Sequence, residues 1–331
     1  MKNRNEIISG ILFITIILVF VSNVKVFISY VEQQEIINDI KYMVPKLSLE
    51  RAESFNYEYP TLNVFTQPLK NYLGRVYLRE GMYDKAIETF HKARSENPYL
   101  LINENFLADV YRNLKMDDSV KYYSRKAFNK MPNNVFHYEG FLQTINIDDT
   151  LSIDESFDKI ILKSEPIWIA YLAGTVRFKV KSDKMKSNLE FARINYYKNP
   201  TIRLLINYHL YGKEKVDEAV DLIEQGVSLM NARQHYESIF PFLKAYEILP
   251  KNNDLLLNLA SSYYVIDKFE EAKKYIDQIE EDYIVDNGKY FFIKGIIYCE
   301  NNFNEIGCKL LTDAIKQNFN EAYNAKLKYC K

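Results

Sequence analysis

The chain has 331 residues, with 43 lysines and arginines against 44 aspartates and glutamates, a formal net charge of −1. Only 10 glycines and 9 prolines occur, while 47% of residues are hydrophobic and 26% charged; collagen-like, linker-rich and disordered readings fail on that composition. A chain without a net positive field also has nothing that draws it to nucleic acid, so no nucleic-acid partner is expected.

From the amino terminus, residues 7 to 21 form an apolar run of fifteen residues without a charge, and after the polar Ser22-Asn23-Val24-Lys25 the run resumes as Val26-Phe27-Ile28. Residues 7–28 are 22 positions, close to the ~20 that cross a bilayer as helix, provided Lys25 snorkels its amine to the interface. Lys2 and Arg4 precede the span and Glu32, Glu35 and Asp39 follow it. Residues 1–31 are then a cytoplasmic tip and the transmembrane helix, and the positive-inside bias predicts an extracytoplasmic remainder, periplasmic in a Gram-negative cell. A cleaved signal peptide shares the basic start and apolar run. Phe20-Val21-Ser22-Asn23-Val24 offers large groups where a peptidase needs Ala or Gly, so a retained membrane anchor is the reading adopted. Residues 32–66 read as a membrane-proximal helix followed by a degenerate hairpin ending at Tyr59-Pro60.

Residues 67–134 repeat. Leu73, Gly74, Tyr77, Ala86, Phe90, Ala93 and Pro98 stand at fixed spacings, and five of them, Leu73, Gly74, Tyr77, Ala93 and Pro98, recur 34 residues later as Leu107, Ala108, Tyr111, Ala127 and Pro132. On these residues the chain resembles the tetratricopeptide-repeat (TPR) family. The small Gly74 and Ala86 let two antiparallel helices approach, Leu73, Tyr77 and Phe90 fill the seam, and Pro98 stops the second helix. The expected fold is therefore all-α: a solenoid of antiparallel helix pairs, each burying its flanks only against its neighbours, preceded by one transmembrane helix.

Residues 135–218 keep helical periodicity without the signature and predict divergent pairs, with helices near 153–163, 166–180, 185–198 and 201–210 and a loop and cap at Asp148-Asp149-Thr150-Leu151-Ser152. Trp168 opens an apolar helix there and reads as packing between hairpins. Residues 219–331 hold three further copies with a capping helix. The first has Gly226, Ala245 and Pro250, with Phe242 as an irregular aromatic; the next has Leu259, Ala260, Tyr263 and Ala272; the last has Gly295, Tyr298, Leu311 and Ala314.

Chemistry is sparse. His91, His137, His209 and His235 are isolated, and no phosphate-binding glycine loop or hydrolase elbow occurs, so no catalytic residue, metal or cofactor is expected. Paired acids such as Asp117-Asp118 and Glu280-Glu281-Asp282 read as solvated helix ends. The three cysteines, Cys299, Cys308 and Cys330, lack zinc spacing. If helices cover about 304–316 and 320–329 around a turn near 319, antiparallel positions sum to about 638, which pairs Cys308 with Cys330. Outside the cytoplasm these two can form a disulfide; buried thiols packing as small hydrophobes are the equal alternative.

The TPR resemblance implies that each first helix turns one face into a concave groove that holds a protein or peptide. This face would carry Asn71, Arg75 and Leu78 in one copy and Asn105, Asp109 and Arg112 in the next, asparagines meeting a peptide backbone and the arginines a carboxylate. Asp109 departs from the Lys/Asn clamp of the chaperone-binding members. The functional expectation is a non-enzymatic scaffold for protein–protein interactions at the cell envelope, held by residues 7–28. The alternative is an accessory subunit of envelope polysaccharide assembly of the O-antigen type.

Overall fold

The computed structural model describes residues 2–41, 47–146, 151–196, 198–279 and 288–330. Among them the regular structure is helix, and the one β feature is an isolated bridge between Leu62 and Pro68. The chain divides into two units, residues 1–178 and 179–331, and the division falls inside the segment that had lost the repeat signature.

The first unit opens with α1 (Lys2–Lys41). From Ile8 to Ile28 its side chains stand in the open, Phe20 for instance at 68% exposure. It is the one described helix long and apolar enough to cross a membrane. The polar step at residues 22–25 does not end it; the helix runs on for three more turns, and there its character changes. Ser29, Ile36 and Asp39 are buried, Ile36 packing with Leu47, Ala52, Phe55, Tyr57, Leu69, Tyr72 and Val76.

α2 (Leu49–Glu53) is capped by the Ser48 hydroxyl, which accepts from the Arg51 amide. The hairpin expected before Tyr59-Pro60 does not form. Beyond α2 the chain up to residue 69 is irregular, and Tyr59-Pro60 is a cis peptide within it. The physical reason is composition: Asn56, Glu58, Pro60, Asn63 and Pro68 leave no apolar stripe of helical period, and Phe55, Tyr57 and Leu69 fill the core directly.

Helical pairs follow: α3 (Lys70–Arg79) with α4 (Tyr83–Glu96), α5 (Ile102–Asn113) with α6 (Asp117–Lys130), then α7 (Val135–Leu142), α8 (Leu151–Asp158) and α9 (Glu165–Arg177). α8 is shorter than the expected 153–163 because the Asn133 carboxamide oxygen accepts from the Ile161 and Leu162 amides (3.0 and 3.2 Å) and draws them out of helix. Of the loop and cap expected at 148–152, residues 148–150 lie outside the described residues, as do residues 280–282, and Leu151 and Ser152 are already the first residues of α8. Trp168 is buried edge-on to Phe157, ring centroids 4.8 Å apart.

The second unit contains α10 (Asp183–Asn195), α11 (Pro200–Tyr211), α12 (Lys213–Asn231), α13 (His235–Ile248), α14 (Asn253–Val265), α15 (Phe269–Ile276), α16 (Gly288–Glu300), α17 (Asn304–Lys316) and α18 (Glu321–Tyr329). α12 packs on α13, α14 on α15, and α16 on α17, with α18 closing the end.

One device builds both units. A Cβ on Gly74 would lie 2.5 Å from the Phe90 ring, and a Cβ on Gly226 would lie 2.4 Å from the Phe242 ring, so each glycine admits an aromatic wedge from the second helix. Phe242, expected to be irregular, therefore occupies the regular place. The turns repeat as well. Gly81, Lys115, Arg233, Asp267 and Asn302 all have positive φ between the two helices of a pair. At each, a six-to-one bond closes the first helix, such as Met82 N to Tyr77 O at 2.8 Å and Gln234 N to Leu229 O at 2.9 Å, satisfying carbonyls that the helix end would leave bare.

Candidate functional site

In the first unit the first helices of successive pairs, α3, α5 and α7, lie side by side. Position in the pair decides what each side chain meets. Asn71 enters the packing: it is wholly buried, and neither of its carboxamide atoms has a protein hydrogen-bond partner. Arg75, one turn on, lays its guanidinium over the Phe106 ring at 5.5 Å. Burial pulls its pKa down, with Tyr72 and Asp109 acting in the opposite sense. Leu78 is half-buried against the Phe90 cluster. Asn105 keeps an unpaired, buried carboxamide oxygen, whereas Asp109 and Arg112 form an ion pair with each other. The structure thus brings Arg75 and Asp109 near one another electrostatically and commits Arg112 to Asp109, so the two arginines do not stand as a matched pair.

Beside this face sits a polar interior that sequence reasoning missed. Glu104 is fully buried on α5 and faces Arg94 Nε from α4 and Lys126 Nζ from α6, each at 3.3 Å. His137 on α7 is buried, and burial lowers its pKa. No one-residue signal marks these groups, because a solvated helix face and a buried ion cluster use the same residue types.

The second unit has the open site. A cavity of ≈ 310 Å³ lies between α10, α11, α12 and the turn into α14. Ile194, Leu204, Val216, Val220 and Leu249 give it an apolar lining. Arg203 and Asp254, 3.4 Å apart, form an ion pair in its wall, and Lys251 adds a further charge. Pro200 starts α11 and the Asn199 side chain caps it through the Thr201 and Ile202 amides, while Asn252 caps α14 through the Leu255 amide; these two caps fix the walls. Such a cavity accepts an apolar side chain and offers charge beside it. Among the described residues, no group of three or more His, Cys, Asp or Glu is placed to hold a metal.

The tetratricopeptide-repeat family model matches residues 68–100, which are α3, α4 and the turn around Gly81, and the 34-residue recurrence continues from there into the next pair. Residues 68–100 of the chain are a tetratricopeptide repeat.

Several TPR structures are similar to the chain at low identity. The TPR domain of P58(IPK) is 14% identical with a TM-score of 0.33; 78% of this chain is covered, and it spans 62% of that one. A TPR protein from Parabacteroides merdae is 14% identical, TM-score 0.31, with 77% and 95% covered. PilF from Pseudomonas aeruginosa is 13% identical, TM-score 0.28, with 78% and 96% covered. No curated protein matches the sequence.

At the carboxyl end of the chain, Cys308 on α17 and Cys330 just past α18 are joined in a disulfide, their Cα atoms 5.7 Å apart. Cys299 is a free, buried thiol whose pKa burial raises.

Proposed function

We infer that the repeat hairpins of this chain form a scaffold for protein interaction. We propose that the chain is a single-pass membrane protein of the cell envelope, its amino end cytoplasmic and its repeats outside the cytoplasm, where it gathers protein partners without catalysing a reaction. The observation that carries the reading is the coupling of an exposed apolar helix to repeat pairs in one continuous element, α1. The basic residues ahead of the span support the orientation, and the Cys308–Cys330 bridge supports an oxidising compartment.

The partner's contact is placed at the 193–254 cavity, whose apolar lining takes a side chain and whose Arg203 and Lys251 suit an acidic neighbour in the bound segment. The α3–α5 face is the competing location, with Arg75, Leu78 and Arg112 as its contacts. Photo-crosslinking amino acids at Leu210 and at Leu78, introduced one at a time into the full chain in intact cells, separate the two. A discrete protein adduct at Leu210 is expected. An adduct at Leu78 alone moves the site to the first unit, glycan in place of protein at either position favours polysaccharide assembly, and adducts at neither position remove the scaffold reading.

A further inference from the structure

The loop between α2 and α3 holds large apolar side chains away from the protein. Val64 is 85% exposed and Phe65 80%. The loop is nevertheless tightly tied: the Asn63 side chain accepts from the Phe65 and Gln67 amides (2.9 and 3.0 Å) and donates to the Tyr72 hydroxyl (2.9 Å). Leu69 N bonds to Thr61 O at 2.8 Å across the bridge of Leu62 and Pro68. Such a fixed apolar tip has no chance to fold back over its own surface. Asn97 Nδ2 donates to Thr66 O (2.8 Å), which sets Tyr99, itself 85% exposed, beside the same loop.

The contacts fix where this tip lies along α1. Arg79, at the end of α3, pairs with Asp39, and Tyr72, near its start, shares a small recess with Ser29 and Gln33. The two helices therefore run side by side in the same direction, and the start of α3 points toward the apolar part of α1. The loop follows that direction further: Asn56 N donates to the Glu32 carboxylate (3.1 Å), and three residues later the Tyr59 hydroxyl is 2.9 Å from Ser22 Oγ. Ser22 lies six residues inside the 7–28 stretch, about 9 Å along the helix axis. Lys70 pairs with both Glu58 (3.0 Å) and Glu96 (2.6 Å), so this end carries no excess of positive charge.

We propose that the 59–66 loop, with Tyr99, is a second membrane contact: Val64 and Phe65 enter the interfacial layer of the leaflet on the repeat side while the Tyr59 hydroxyl meets Ser22 within the span. This rests on the reading of α1 as a membrane span. Exposed aromatic and apolar side chains beside the end of a span match the bilayer's interfacial belt, and with no excess of positive charge at this end the contact is one of apolar burial, independent of anionic lipid. The first repeat pair is thereby held end-on against the bilayer.

The test uses the unreduced full chain in phosphatidylcholine vesicles, where Cys299 is buried and the other two cysteines are bridged, so an introduced surface thiol is the one that labels. The environment-sensitive dye NBD is attached at Phe65→Cys, at Phe20→Cys inside the span and at Tyr236→Cys, an exposed position of the second unit. A blue-shifted emission at 65, quenched by lipid carrying a nitroxide near the headgroup, is expected, with 20 shifted and 236 unshifted. A water-like emission at 65 while 20 is lipid-embedded overturns the loop contact and leaves the anchor standing. Water-like emission at both 65 and 20 removes the anchor reading and the loop contact together.

Discussion

Gly74 and Gly226 show how one missing carbon sets the approach of two helices. The rings they admit, Phe90 and Phe242, are both fully buried, so neither can swing aside. Gly226→Ala is expected to destabilise the second unit by about 1–3 kcal/mol, the usual cost of overpacking, and Phe242→Leu in the same chain should recover part of it; denaturant unfolding of the single and double variants measures the coupling. His137 works through charge. Its folded pKa is depressed by burial, so the unfolded chain binds a proton first as pH falls. Stability is therefore full above the unfolded value of about 6.5 and is lost as pH falls through it toward the folded value. Urea midpoints are expected to drop between pH 7 and 5 and to flatten over that range in His137→Gln, once that variant's own offset at pH 7 is subtracted.

α18 is nine residues long, too short to persist as an isolated helix, and its buried contacts are the small Ala322 and Ala325. The Cys308–Cys330 bridge spans a sequence separation of 22, which on loop-entropy grounds restricts the unfolded chain by roughly 3 kcal/mol. Replacing both cysteines by serine is expected to fray α18 first: amide exchange across 321–329 should rise well before the α14–α15 pair loosens. Thiol titration of the denatured, unreduced protein is expected to give one reactive group per chain, Cys299; three groups would mean that the bridge is absent from the isolated protein.

α1 has an exposed apolar part and a packed part, and the boundary between them sets what can be cut away. From Ile8 to Ile28 it contributes nothing buried, whereas Ile36 is 1% exposed and Asp39 accepts from Leu47 N at 2.7 Å while pairing with Arg79. Removal of residues 1–28 is expected to release the protein from membranes and leave its unfolding midpoint unchanged. Removal of residues 1–41 also strips Ile36 and takes Asp39 from Arg79, which keeps Glu80 and the Leu47 carbonyl, for a loss of the order of 3 kcal/mol. Comparing the two truncated chains by thermal unfolding checks this; equal midpoints would mean that α1 ends its structural role at the membrane.

The repeated pairs were legible because the close approach of two helices admits few residue types. Gly, Ala and a ring at fixed spacing have no other common cause, so Leu73 to Pro98 sufficed to name the fold, and fifteen uncharged apolar residues sufficed to pick out the helix that can enter a membrane. The left-handed turn residues were not legible: Gly81, Lys115, Arg233, Asp267 and Asn302 share a backbone conformation and no side-chain chemistry. Nor was the burial of Asn71 and Glu104, or the cavity beside Arg203, since polar residues look alike in sequence whether they face water or a neighbouring helix. Local spacing is written in the chain itself; which polar groups lose their water depends on helices brought together from tens of residues away, and only the folded units decide that.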